Sequence, residues 1–492
     1  MKKLFITALL CAATSLMFGQ NVSTVSSTGD DNDATVTQTG ALNGSDVLQL
    51  GDDNGATVTQ LGDLNTSDVD QTGDLNTTLA DQNGDANTST QNQLGDSNDA
   101  DVDQDGNANT AVQVQIVNGN EADISQVGDL NTAVQVQVGL TNDAEINQDG
   151  MLNVAAQLQV GDNNDAYAEQ FGNSNTSSQT QIGDDNDADV FQGDNFNVAT
   201  QVQTGNNNDA TAYQNDLSVG GFNTSTQLQT GNDNDATVDQ GFFNAFQNIA
   251  YQNQIGNNND AYAIQAGNNN ISVEVQVGDD NESDVDQDGN DNQSGVGATP
   301  GPATFAVFGQ FGDNNIADTE QDGNDNSSQI YQEGDSNDAS VDQDGNNNSA
   351  LSFTMGDGNF DDLSSDGDWN VNLSRQFGDN NSVTASQDGD LNISSAIQVG
   401  DNNMVLSDQT GDSNFSLTTQ NGMNHSNTVM QLGDSNSSMV SQSGGDHTSF
   451  VTQTMNNNVA DVTQTGFGGG LGHLSTVTQT GNMNTGTIIQ HD

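Results

Sequence analysis

The chain has 492 residues, with 70 acids against three basic residues and a formal charge of −67. Its hydrophobic content of 31% falls short of the roughly 45–50% of ordinary globular domains. This balance excludes a basic nucleic-acid footprint and makes cations, or a cationic partner, the natural counterparts. Such a composition ordinarily means disorder. A disordered tract, however, has no reason to hold Gln and Asn in register, and this chain does.

The N-terminal stretch, residues 1–20, reads as a secretory signal. Lys2 and Lys3 form its charged start and Leu4 to Met17 its apolar segment. It is shorter than the ~20 apolar residues of a membrane span, and no other span follows. Cleavage would remove Cys11, the single cysteine, and leave Arg375 as the last basic residue. The mature chain is then expected to be exported, without disulfides and without a transmembrane segment.

From residue 21 a repeat takes over. Gln recurs every eleven residues from Gln38 to Gln214, and an Asn opens each seven-residue segment that such a Gln closes. In the clearest stretch Gln93, Gln104, Gln115, Gln126, Gln137 and Gln148 close successive segments. Asn98, Asn109, Asn120, Asn131 and Asn142 open them, and Ala100 marks the small third position. Gly95, Gly106, Gly128 and Gly139 lie in the turns, where glycine permits a sharp reversal. Asn, Ala, Val and Gln stand two apart, so in a strand they share one face, whereas a 3.6-residue period would scatter them. A second period of twenty-two overlies the first. Segments opening Asn-Asp/Glu-Ala alternate with segments opening Asn-Thr-Ala and closing Gln-Val-Gln.

The register slips by four residues after Gln214 and by three before Gln254. Residues 293–309, which hold Pro300 and Pro302, read as an insertion loop, since proline cannot serve an inner ladder. The repeat then runs over 310–492, with a further slip of four at GFGGGLGH. The domain expectation is therefore repeats over 21–292, the loop, and repeats over 310–492, one solenoid running through. Leu351 to Arg375, with Trp369, is the least regular part of the second block.

A short fixed period marks a repeat architecture. Two strands and two turns of twenty-two residues suit one coil of an all-β, flattened β-solenoid, cross-β-like, with inward Asn and Gln stacked in amide ladders. Roughly twenty coils at about 4.8 Å would give a rod of about 100 Å. One outer face should carry acids (Asp99, Asp101, Asp103, Asp143, Glu145), the other a Thr/Val stripe (Thr110, Val112, Val114, Thr132, Val134, Val136). Stacked carboxylates about 5 Å apart repel by roughly 1 kcal/mol each even in water. Calcium could sit loosely on that face or in the Gly-Asp turns, but no complete ligand loop is present. No catalytic motif appears. His425, His447, His473 and His491 are the available histidine bases, and they lie where the repeat matches poorly.

The pattern Gln-x-Gly-x-x-Asn-x-Ala-x-x-x-Gln, as in Gln93 to Gln104 and Gln126 to Gln137, resembles the curlin repeat of curli-type fibre subunits. The resemblance covers nearly all of the chain after residue 20. It implies a secreted functional amyloid at the surface of a Gram-negative bacterium, acting in biofilm matrix, adhesion and colonisation. It further implies self-association into fibres, with outer-membrane export and nucleator proteins as partners. The chain departs from the usual subunits in having many more repeats and far more acid. A monomeric acidic solenoid that binds ice, mineral or a cation-bridged ligand is the competing expectation.

Overall fold

The computed structural model describes residues 19–214, 221–241, 246–295, 309–466 and 472–491. The expected signal lies outside these residues apart from its last two, as do Pro300 and Pro302. The chain divides into two compact units, Met1–Phe246 and Gln247–Asp492.

Among the described residues there are 42 strands and no helix, from β1 (Val22–Thr28) to β42 (Thr485–His491). In the first unit consecutive strands do not pair. β8 (Asp99–Asp105) pairs in parallel with β10 (Glu121–Asp129), and β9 (Thr110–Ile116) with β11 (Thr132–Val138). Partners stand 22 residues apart, as in Ala100 with Ala122 and Gln104 with Gln126. Two strands and two turns thus make one coil, and the chain winds between two parallel sheets, one of odd and one of even strands. The twenty strands β1 to β20 (Asp235–Asp239) form ten coils, a stack of about 48 Å at the usual strand spacing. This is the expected flattened β-solenoid.

Alternation produces the sheets. In β8 Ala100, Val102 and Gln104 are sealed from solvent, whereas Asp99 and Asp103 are exposed. The apolar core is a thin seam of small residues, including Val102, Ala111, Ile124, Ala133 and Ile146. Small side chains let the two sheets approach, and the backbone of each coil satisfies that of its neighbours. The slip of four residues after Gln214 is absorbed between β18 (Asp209–Gln214) and β19 (Thr224–Thr230). Across it Gln203 stacks on Gln229, 26 residues away, and the strand register is kept.

The second unit, beginning at β21 (Ile249–Ile255), is built in the same way. Its largest insertion does not sit in a turn. β25 (Gln293–Ser294) and β26 (Gly309–Phe311) both pair with β23 (Ile271–Val277) and with β28 (Ser327–Glu333). They are two halves of one strand position, and the inserted residues leave from its middle. The first two residues and the last of the expected 293–309 loop are therefore strand. On the facing sheet β24 (Glu282–Asn290) pairs directly with β27 (Ile316–Asn324), so Gln287 meets Gln321, 34 residues on.

Candidate functional site: the amide ladders and the outer faces

The structure brings the sequence-marked residues together into columns parallel to the coil stack. Gln93, Gln115 and Gln137 form one column. Each Nε2–H donates to the Oε1 of the next, at 2.9 and 3.1 Å. Gln104, Gln126 and Gln148 form the other, at 2.8 Å per step. The same Nε2 groups also donate across to the opposite sheet, Gln93 to the Thr77 carbonyl at 2.8 Å and Gln104 to that of Thr88 at 3.1 Å. Each Gln therefore ties coil to coil and sheet to sheet.

Asn98, Asn120 and Asn142 form a third column, Asn109 and Asn131 a fourth. The Asn98 Oδ1 accepts the backbone N–H of Asn120 at 3.0 Å, and its Nδ2–H donates to the Val117 carbonyl at 2.8 Å. Asn109 repeats this with Asn131 N–H and the Gly128 carbonyl. Ala100 is fully buried between the columns. The turn glycines are required by close approach. At Gly139 (φ +142°) an added Cβ would lie 1.7 Å from the Gly161 carbonyl oxygen, and at Gly106 1.9 Å from that of Gly128. Gly95 and Gly128 are equally tight. Beside Gly95 the glycine column is broken by Val117, which takes φ +89° in its place, an uncommon conformation for a β-branched residue.

Three further features complete the ladders. The Gly-Asp turn has a structural use: Asp96 Oδ1 accepts the backbone N–H of Asp74, and Asp74 Oδ1 that of Asp52. Each of these carboxylates caps the preceding coil. A fifth buried amide column, Gln91, Gln113 and Gln135, fills the valine position of the odd sheet, and Gln113 reaches the Ala122 carbonyl across the core at 2.6 Å. The third feature is a run of histidines. His425, His447 and His473 continue the Asn column beyond Asn403, with rings stacked at 5.1 and 4.9 Å. The His425 Nδ1 accepts the His447 N–H at 3.3 Å, and the His447 Nδ1 that of His473 at 3.1 Å. Nδ1 must then carry a lone pair, which leaves the proton on Nε2. There His425 faces the Asn421 carbonyl and His447 that of Ser443. These three rings are ladder members rather than free bases.

Two carboxyls stand where the pattern places neutral groups. Glu274 follows Gln252 in a Gln column of the second unit, and burial pushes it up to about 8. Asp361 takes the place of Ala339 in its column, is sealed from solvent, and burial pushes it up to about 7. Neither of its oxygens has a hydrogen-bond partner of good geometry.

The outer faces are as different as the sequence suggested. On the even sheet of the first unit Asp99, Glu121, Asp143, Asp165, Asp187 and Asp209 form one column. Asp101, Asp123 and Glu145 stand beside it. Crowding by neighbours, then the adjoining carboxylates, raises Asp123 and Asp187 to about 7 and Asp143 and Asp189 to about 6. The odd sheet presents Thr110, Val112, Val114 and Ile116, stacked on Thr132, Val134, Val136 and Val138. Among the described residues no group of three His, Cys, Asp or Glu is arranged to hold a metal ion, and no helix is long and apolar enough to cross a membrane.

Stacked parallel coils with a fixed 22-residue step define a β-solenoid repeat protein. Residues 18–40, 29–62, 118–150, 378–406 and 426–454 match the curlin associated repeat, so both units carry curlin repeats. No curated protein matches the chain.

Proposed function

We propose that the chain is a secreted structural subunit that assembles end to end into curli-like amyloid fibres. These would serve biofilm matrix, adhesion and surface colonisation outside a Gram-negative cell, with export and nucleator proteins as partners. The observation that carries this reading is the complementarity of the terminal coils. Among the described residues β1 pairs only with β3 (Gly44–Leu50), and β42 only with β40 (Val459–Gly466). The Gln columns have a direction. In the second unit the column through Gln453 ends at Gln479, whose Nε2–H meets the Val459 carbonyl but no further Gln. In the first unit the column through Gln60 begins at Gln38, whose Nε2–H is used on Gln60, while the Gln38 Oε1 accepts nothing among the described residues. Donors at one end and acceptors at the other make a heterologous, open contact of the kind that grows filaments. The ladder residues are amides engaged with one another, which supports a structural rather than a catalytic role.

The acidic face would oppose growth, and cations such as calcium would act there as screening counter-ions. Carboxyls already raised to about 6 or 7 take up protons readily as the medium turns mildly acidic. Thioflavin fluorescence with electron microscopy on residues 21–492 tests the reading. Fibres should appear as salt, millimolar calcium or acid relieves the repulsion. Monodisperse particles under every condition would overturn it and favour a solenoid that binds a surface as a monomer.

A further inference from the structure

We propose that the uncharged outer face of the first unit's odd sheet is a pairing surface for the same face of a second copy of this chain. The face spans β7 (Thr88–Leu94), β9, β11, β13 (Val154–Val160), β15 (Thr176–Ile182), β17 (Val198–Thr204) and β19. Each strand turns four residues outward, and in a chain with 70 acids not one of these 28 is charged. They stack in straight columns, such as Val114, Val136, Leu158, Thr180, Val202 and Leu228.

Three considerations select a second copy as the occupant. The first is charge. A like-charged copy cannot approach the acidic face without repulsion, whereas pairing through the neutral face turns both acidic faces outward. They are then separated by about 30 Å of stacked sheets at ~10 Å each, several Debye lengths at physiological salt. The second is area. Seven strands at about 4.8 Å, each some 23 Å long, present roughly 770 Å² per partner, the standard size for a stable protein interface. Acids such as Asp162 and Asp184 lie in the turns at its margin, giving an apolar centre with a polar rim. The third is pitch. A surface ribbed at the coil spacing is matched by another with the same ribs, and short β-branched side chains interdigitate with little entropy lost.

Pairing through this face is lateral, so it stands apart from end-to-end growth. Sedimentation and electron microscopy on the chain read the two separately, as width and length. The unmodified chain should sediment at twice the monomer mass, or form fibres of double width. The double variant Val136→Lys with Val202→Lys should halve the mass or the width, with an unchanged circular dichroism spectrum. The control Ser125→Lys with Thr211→Lys adds the same charge to the opposite face and should leave pairing intact. A chain that is single-width and monomeric from the start overturns the proposal. So does a control that behaves like the Val variant. If end-to-end growth fails while pairing holds, short paired particles result.

Discussion

At the scale of the residue, the repeat tolerates substitutions only where the replacement offers the same donors and acceptors. Asn gives the coil above an acceptor and takes a carbonyl with its amide, and histidine can do the same only as the neutral Nε2–H tautomer. Asp361 stands instead at the Ala position of its column, where Ala339 before it carries no polar group. In the folded chain it holds a proton up to about 7, whereas unfolded it releases the proton near the ordinary carboxylate value. Its burial therefore costs most above that pH, and the cost fades as pH falls toward the unfolded value. Asp361→Ala, which restores the residue found one coil earlier at Ala339, should stabilise the second unit at pH 8 by about 1–3 kcal/mol. The gain should shrink near pH 5. Urea unfolding followed by circular dichroism measures both. A loss of stability at pH 8 would mean that the carboxylate is paired in solution.

At the scale of the element, the eleven- and twenty-two-residue periods made the strands, their inward faces and the Gln93, Asn98 and Gly95 columns legible. Each depends on side-chain parity and on turns within a single repeat. What escaped involves contacts between coils. Asp96 looks like a candidate cation ligand in its own turn, and only the coil before it shows that its oxygen caps Asp74. The histidines looked like free bases in a decayed segment. Their spacing held the clue: His425 and His447 are 22 apart, and His473 follows at 26, across the slip of four. The entry of the large insertion within a strand at β25 and β26 was hidden because the Asn and Gln that frame that strand, Asn292 and Gln310, lie on either side of it.

The histidine column carries its own pH dependence. Burial holds His425 below its ordinary value, with His447 adding to the effect and Asp446 opposing it. Stability from this group is present above the unfolded histidine value and is lost as pH falls through the lower folded one. A proton on Nδ1 would face the His447 N–H donor and break that step. Hydrogen exchange, corrected for intrinsic rates, should show protection of the His447 amide, which His425 accepts, falling between about pH 7.5 and pH 5. Replacing all three histidines with Asn should remove the fall. Equal protection at both pH values would show that the column stays neutral.

At the scale of the whole molecule, chemistry is divided by direction. Across the coils from β7 to β20 of the first unit one face is acidic and the other neutral, and along the coils the amide columns run from donor to acceptor. Charge keeps copies apart on the acidic side, the neutral face admits a second copy, and the terminal coils are the place where backbone pairing can continue. The most direct test is an electron cryomicroscopy structure of the fibres. Unbroken ~4.8 Å layers in which each chain keeps its own 22-residue coils, with Gln38 of one copy stacked on Gln479 of the next, is the expected result. Layers in which identical segments of different chains lie flat on one another, one chain per layer, would contradict the solenoid as the unit of assembly.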